Sequence, residues 1–132
     1  VTNPGGTGAH FAHVEVDTWT GFTTPPERPA HSRPSCLTAA IQLEGREVTT
    51  IEGLAEMGAL DIIQTCFVEE LAIQCGYCTP GMVLAIKKLL DEHPDPTESE
   101  IKYGLAGNIC RCTGYVSIEN AVKKAAAVLR GE

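Results

Sequence analysis

The feature that most constrains this chain is a set of four cysteines arranged as two close pairs. Two residues separate Cys75 from Cys78, one residue separates Cys110 from Cys112, and 31 residues lie between the pairs. That interval has room for a helix, a proline-containing turn and a second helix that brings the chain back. Each pair also precedes a predicted helix, where unpaired amides and the helix dipole stabilise thiolates. The spacing therefore predicts that the pairs meet in one site.

The bulk properties exclude several classes of function. The 132 residues carry a formal net charge of −7, which disfavours nucleic acid as a partner. No apolar run approaches the roughly 18 residues of a spanning helix, and the first residues lack the pattern of a signal peptide. We expect a cytoplasmic chain without a membrane span, in which thiols stay reduced. Metal binding then accounts for the six cysteines better than three disulfides.

Composition divides the chain into two predicted domains, residues 1–50 and 51–132. In the first, HVEVDTW indicates a short strand and the proline-rich TTPPERPAHSRP an extended loop, so we expect an irregular or short-β segment. The second is predicted to be mostly α, a four-helix bundle. The first helix is expected over 58–72, and the second is expected to begin at a cap formed by Thr79. The third is expected to run from a Thr97–Glu100 capping box to Gly107, and the fourth to begin near Ser117.

Helical periodicity predicts which side chains form the core. In the first helix Cys66 is expected to pack as a small apolar residue. The other predicted core residues recur three and four positions apart, and they are Leu60, Ile63, Phe67, Leu71, Met82, Val83, Ile86, Leu89, Leu90, Ile101, Leu105, Ile118, Ala121, Val122, Ala125 and Leu129.

Three kinds of site use closely spaced cysteines. Zinc accepts four thiolates, but its sites usually repeat a wider spacing than that of Cys110 and Cys112. A redox dithiol normally begins a helix after a strand, whereas an apolar helix and Gln74 precede Cys75. An iron–sulfur cluster takes four cysteines and is tuned by amide hydrogen bonds, which glycines allow to approach closely. The spacing favours the cluster and leaves the two other sites open.

Two stretches, QCGYCTPGM at 74–82 and GNICRCTGY at 107–115, carry a resemblance to a known family. With SCLT, VTTIEGLA, IIQTCFVEE and HPDPTESEIKYGLAGN, they make about three quarters of the chain similar to one domain. It resembles the helical iron–sulfur domain of the molybdenum hydroxylases, which include xanthine dehydrogenase, aldehyde oxidoreductase and carbon monoxide dehydrogenase. The form it resembles is the small iron–sulfur subunit.

The resemblance implies a function for the chain and a role for particular residues. Cys75, Cys78, Cys110 and Cys112 would ligate one [2Fe-2S] cluster, and Gln74 with Cys112 would contact the molybdopterin cofactor of a large partner subunit. The chain would pass electrons from the molybdenum centre towards a flavin on an FAD-binding medium subunit, or to another acceptor. It would thus be a subunit of an oxidoreductase, with no catalytic residue and no substrate-binding site of its own.

Residues 1–50 depart from the family pattern. Small subunits of this family begin with a plant-type ferredoxin domain, of whose cysteines only Cys36 has a counterpart here, while Thr7 and His10 stand where others would be. We interpret this segment as a remnant of such a domain and expect no second cluster, including one built on His10, His13 and His31. Two other functions stay open: a structural zinc module that mediates protein interaction, and a nonfunctional truncated remnant.

Overall fold

The chain divides into two compact units, Val1–Thr49 and Thr50–Glu132. A computed structural model describes residues 14–15, 32–33, 39, 41, 48–55 and 58–131. In the first unit, β1 (Val14–Glu15) pairs antiparallel with β2 (Ser32–Arg33), so that Val14 lies opposite Arg33. The strand β1 falls within the predicted HVEVDTW stretch. The interpretation of residues 1–50 as a ferredoxin remnant, with Thr7, Cys36 and the three histidines, lies outside the described residues and stays a prediction.

The second unit is helical, which confirms the predicted fold class. A single 3-10 turn (Glu52–Leu54) is followed by α1 (Ile62–Glu69), α2 (Thr79–Glu92), α3 (Glu98–Leu105) and α4 (Val116–Arg130). Helix α1 packs on α2 and α4, and α3 packs on the same two helices, so neighbours close a ring of four. Within the described part of the chain, no helix is both long enough and apolar enough to cross a membrane.

Capping groups set the start of α1 and a left-handed residue ends it. The Asp61 carboxylate accepts a hydrogen bond from the Ile63 N–H at 2.8 Å, and Gln64 Oε1 accepts from the Asp61 N–H at 2.9 Å. Leu71 has φ 53°, a left-handed conformation that cannot extend a right-handed helix. The helix is therefore shorter than the predicted 58–72. Leu60 and Leu71 lie beyond its ends and are 57% and 78% exposed, so their prediction as core residues was wrong.

The predicted caps of α2 and α3 had different outcomes. Thr97 Oγ1 accepts from the Glu100 N–H at 3.3 Å and Glu100 Oε2 accepts from the Thr97 N–H at 2.7 Å, which confirms that capping box. Thr79 does not cap α2: Cys78 holds the cap position with φ −83° and ψ −16°, and no side-chain cap bond is made. Because Cys78 is already helical, Thr79 lies inside the first turn and not before it, so its hydroxyl is not placed to accept from the free amides that follow.

The core lies between the four helices and is almost entirely aliphatic. Cys66 is 1% exposed, as predicted. Leu129 is 57% exposed, because it lies beyond Ala126, the last buried residue of α4, so its prediction as a core residue was wrong. The largest fully buried side chains are Phe67, Ile63, Met82, Ile86, Ile101, Ile118, Val83 and Val122.

Candidate metal centre

Two turns hold the four cysteines at the ends of helices. Cys75 and Cys78 lie in the loop that leads into α2, and Cys110 and Cys112 lie in the loop between α3 and α4. Each loop contains a glycine with positive φ, Gly76 at 78° and Gly114 at 70°. A Cβ atom at either glycine would meet no atom within 4 Å, so the left-handed backbone and not the lack of space favours glycine there.

The two loops bring the four thiols together crosswise. The Cys75 and Cys112 thiols are close enough to shift each other's pKa, and so are the Cys78 and Cys110 thiols. Cys75 also interacts electrostatically with Cys110 and with Cys78. Each thiol of one loop is therefore matched to a thiol of the other, although 31 residues lie between the pairs.

In the inner pair of thiols, Cys110 is buried and Cys78 is half-buried. Cys110 is 8% exposed, and the Thr113 hydroxyl and the Thr113 N–H lower its pKa to about 7. The two Thr113 donors lie 3.0 Å and 3.4 Å from Cys110 Sγ. Burial, followed by the hydrogen bond with Cys110, raises the pKa of Cys78 to about 11. The two sulfurs of this pair thus have unlike surroundings.

The outer pair, Cys75 and Cys112, is exposed and shows the same asymmetry. The Tyr77 N–H, followed by the Cys112 thiol, lowers the pKa of Cys75. The hydrogen bond with Cys75 raises the pKa of Cys112. Each crosswise pair therefore combines a thiol whose pKa is lowered with one whose pKa is raised. Metal ligation requires the thiols to lose their protons, since thiolates are the ligands.

Cys110, Thr113 and Tyr115 form a closed ring of hydrogen bonds that holds Cys110 in place. The Cys110 N–H donates to Tyr115 Oη at 2.9 Å, the Tyr115 N–H donates to Thr113 Oγ1 at 3.2 Å, and Thr113 Oγ1 contacts Cys110 Sγ. Tyr115 takes part with φ 70°, which is uncommon for a residue other than glycine. Sequence reasoning missed the roles of Thr113 and Tyr115. A hydroxyl three positions after a cysteine, in a loop too short for a helix, is the signal that was available.

Gln74 lies on the surface beside the outer pair. It is exposed and precedes Cys75 directly in the chain, so it lies next to the exposed Cys75. Two large apolar side chains next to the cysteines are exposed as well, Tyr77 at 95% and Ile109 at 83%. The described surface around the outer thiols is therefore partly apolar.

The donor set fits a cluster of two irons. Such a cluster needs two sulfur ligands on each iron and amide donors to sulfur, and the crosswise pairs and their N–H contacts supply both. In the part of the chain that the structure describes, no three His, Cys, Asp or Glu side chains are grouped as a single metal ion requires. Thr79 Oγ1, in the residue after Cys78, is buried and has no hydrogen-bond partner.

The helical unit and its thiol site define a small iron–sulfur binding domain, and comparison with known families agrees. Residues 50–123 match the family described as "[2Fe-2S] binding domain". The chain belongs to this [2Fe-2S] binding domain family. Its predicted resemblance to the helical iron–sulfur domain is confirmed, and a [2Fe-2S] cluster is the cofactor of the domain. The family match favours the cluster over zinc and over a redox dithiol.

Curated relatives carry the same domain. The chain is 50% identical over 91 residues to the nicotinate dehydrogenase small FeS subunit of Eubacterium barkeri, covering 69% of this chain and 58% of that protein. It is 46% identical over 90 residues to the xanthine dehydrogenase iron-sulfur-binding subunit of Escherichia coli O157:H7, covering 67% and 57%. The chain thus spans little more than half the length of these relatives.

A solved structure shows the same fold. Quinoline 2-oxidoreductase from Pseudomonas putida 86 superposes with a TM-score of 0.68 at 41% identity, covering 76% of this chain and 64% of that chain. At this identity the likeness extends beyond architecture to sequence.

Proposed function

We propose that this chain is the electron-transfer iron–sulfur subunit of a molybdenum-containing hydroxylase or dehydrogenase. The observation that carries the proposal is the crosswise meeting of Cys75 with Cys112 and of Cys78 with Cys110. In this proposal the four thiolates ligate one [2Fe-2S] cluster, two on each iron. Relatives named as small FeS subunits of oxidoreductases support the assignment.

The cluster, when bound, supplies a site that takes up and releases one electron at a time. The chain's own residues hold four sulfurs at fixed positions, shield the Cys110 sulfur from water, and donate N–H groups from Tyr77 and Thr113. In this proposal none of the described residues transfers a proton to a substrate. Its contribution is burial, hydrogen bonding and distance.

We infer that the exposed outer pair faces the electron donor. Gln74 and Cys112 would contact the molybdopterin cofactor of a large partner subunit, and Tyr77 and Ile109 would pack against that subunit. An FAD-binding subunit would be the next electron acceptor, in the cytoplasm. The exposure of Gln74, Cys75, Cys112 and the two apolar side chains at one end of the domain supports this orientation. Copurification with a molybdopterin-containing subunit tests it, and would also exclude a nonfunctional remnant.

Metal and sulfide analysis tests the cluster assignment. Anaerobically purified protein is expected to be reddish brown, to hold iron and acid-labile sulfide in equal amounts, and to give one EPR signal after dithionite reduction. The Cys110→Ser variant is expected to lose that signal because it lacks one thiolate. Cys66→Ala is the control, since Cys66 is buried within α1 and is outside the thiol pairs.

Three results would contradict the proposal. Colourless protein containing only zinc would indicate the structural zinc module. An unchanged EPR signal in Cys110→Ser would show that the ligand set is wrong, and loss of the signal in Cys66→Ala would show that the loss is not specific to the proposed ligands.

A further inference from the structure

We propose that the Thr113 hydroxyl sets the reduction potential of the cluster by donating a hydrogen bond to the Cys110 sulfur. The proposal rests on the proposed function, because Cys110 must be a cluster ligand. It adds a residue that ligates nothing and that the cysteine spacing does not reveal. Thr113 is in this view a positioning residue, which acts through the sulfur of its neighbour.

The hydrogen-bond ring determines which way the Thr113 hydroxyl points. Thr113 Oγ1 accepts from the Tyr115 N–H at 3.2 Å and lies 3.0 Å from Cys110 Sγ. Because an N–H can only donate, it occupies a lone pair of the oxygen and leaves the hydroxyl hydrogen to point elsewhere. A thiolate sulfur bound to iron carries no proton and can only accept. The hydroxyl hydrogen therefore points to the sulfur once Cys110 is a ligand.

The backbone holds this arrangement in place. Tyr115 has φ 70°; its N–H donates to Thr113 Oγ1, and its side chain reaches back to Cys110, where Oη accepts from the Cys110 N–H at 2.9 Å. A left-handed residue other than glycine costs about 1–2 kcal/mol, so it persists where surrounding contacts hold it. Tyr115 is half-buried and packs against the core, which supplies such contacts. The ring is thus anchored to the body of the domain.

The sign of the effect follows from charge. Reduction adds one electron, supplied by dithionite in the test, and makes the cluster and its thiolates more negative without moving a proton. A hydrogen bond donated to a sulfur stabilises the more negative state and raises the potential. Cys110 is 8% exposed, so water does not replace a missing donor as it would at the exposed Cys75 or Cys112. Removal of the hydroxyl is therefore expected to make reduction harder.

A redox titration monitored by EPR tests the proposal. Thr113→Val removes the hydroxyl and keeps the branched shape, and it is expected to bind iron and sulfide as the wild type does. Its equilibrium constant for reduction is expected to fall about tenfold, which for one electron is 59 mV. Thr113→Ser keeps the hydroxyl and is expected to restore the wild-type potential. Thr65→Val is the matched control, because it removes a hydroxyl whose bond to the Asp61 carbonyl lies in α1.

Each other outcome has a definite meaning. A loaded Thr113→Val protein with the wild-type potential, or a Thr113→Ser protein with the valine potential, would overturn the proposal. If the Thr113→Val protein does not bind the cluster, Thr113→Ala removes the hydroxyl with less bulk. If only the Thr113→Ser protein binds the cluster, the hydroxyl serves cluster assembly and the proposal is wrong. Wild-type protein without iron and sulfide would instead contradict the proposed function, so the two failures are distinguishable.

Discussion

At the scale of single residues, the surroundings of the four thiols are unequal although their sequence spacing is regular. The Thr113 donors lower the pKa of Cys110 to about 7, while burial raises that of Cys78 to about 11. The residue types and spacing predicted that thiolates would gather. They did not predict which sulfur is buried, because burial depends on how far each loop reaches over α2 and α4.

Glycines in the two loops provide a residue-scale prediction. Gly114→Ala places a Cβ on a backbone with φ 70° in open space, so only the conformational strain of about 1–2 kcal/mol opposes it. We expect the cluster to be lost faster in urea, by about fivefold to thirtyfold, as the visible absorbance reports. Gly107→Ala is the control, since it has equally open space and no positive φ, and its cluster should be lost at the wild-type rate. Equal rates in the two variants would contradict the argument.

At the scale of elements, the sequence predicted the presence and order of the four helices better than it predicted where each helix begins and ends. The Thr97–Glu100 capping box could be predicted from the sequence because its two residues are only three positions apart and each side chain accepts from the backbone N–H of the other. The ends of α1 were not readable from periodicity, since apolar residues continue at Leu60 and Leu71 beyond the helix. Periodicity marks a face and not its limits. The limits come from Asp61, whose carboxylate caps α1, and from the left-handed Leu71.

The cap of α3 provides an element-scale prediction. Thr97→Ala removes the acceptor for the Glu100 N–H and is expected to destabilise the domain by about 1 kcal/mol. Ser99→Ala, an exposed position in the same turn, should change the free energy of unfolding little. Denaturant unfolding of the loaded protein, followed by circular dichroism at pH 7, measures both. A cost at Ser99 equal to that at Thr97 would show that the cap is not the cause.

The same cap predicts a dependence on pH. Hydrogen bonds from the Thr97 side chain and backbone lower the pKa of Glu100 below 4.5. A lowered pKa in the folded state contributes stability above the unfolded value, and that contribution is lost as pH falls through the folded pKa. The destabilisation caused by Thr97→Ala is therefore expected to shrink below pH 4.5. A constant difference between pH 7 and pH 3 would argue against the Thr97–Glu100 bond.

At the scale of the whole molecule, the ring of four helices places the two cysteine loops at one end of the domain. Ion pairs also link parts of the ring that are distant in sequence. They include Lys124 with Glu69 at 3.1 Å and with Glu70 at 2.8 Å, Lys123 with Glu98 at 2.6 Å, and Arg130 with Asp95 at 2.7 Å. These pairs are largely exposed and contribute little each. The position of the loops therefore depends mainly on the buried side chains.

A core substitution provides the prediction at this scale. Ile118→Ala removes a fully buried side chain from α4 and is expected to cost about 2–5 kcal/mol. The loss should lower the midpoint of cluster bleaching in urea together with that of helix unfolding, because one core supports both. Leu129→Ala, on the exposed end of the same helix, should leave both midpoints nearly unchanged. Bleaching that stays at the wild-type midpoint in Ile118→Ala would show that the site is independent of the core.

The sequence by itself determined the residue types of the site, the helical class of the second unit and most of its core, since spacing and periodicity are local properties. Only the tertiary structure decided which thiols meet, that Cys75 meets Cys112 and Cys78 meets Cys110, and which sulfur Thr113 contacts. These contacts depend on the direction in which each loop leaves its helix and on the left-handed residues Gly76, Gly114 and Tyr115. Such backbone directions follow from the packing of all four helices at once, and no short stretch of sequence contains them.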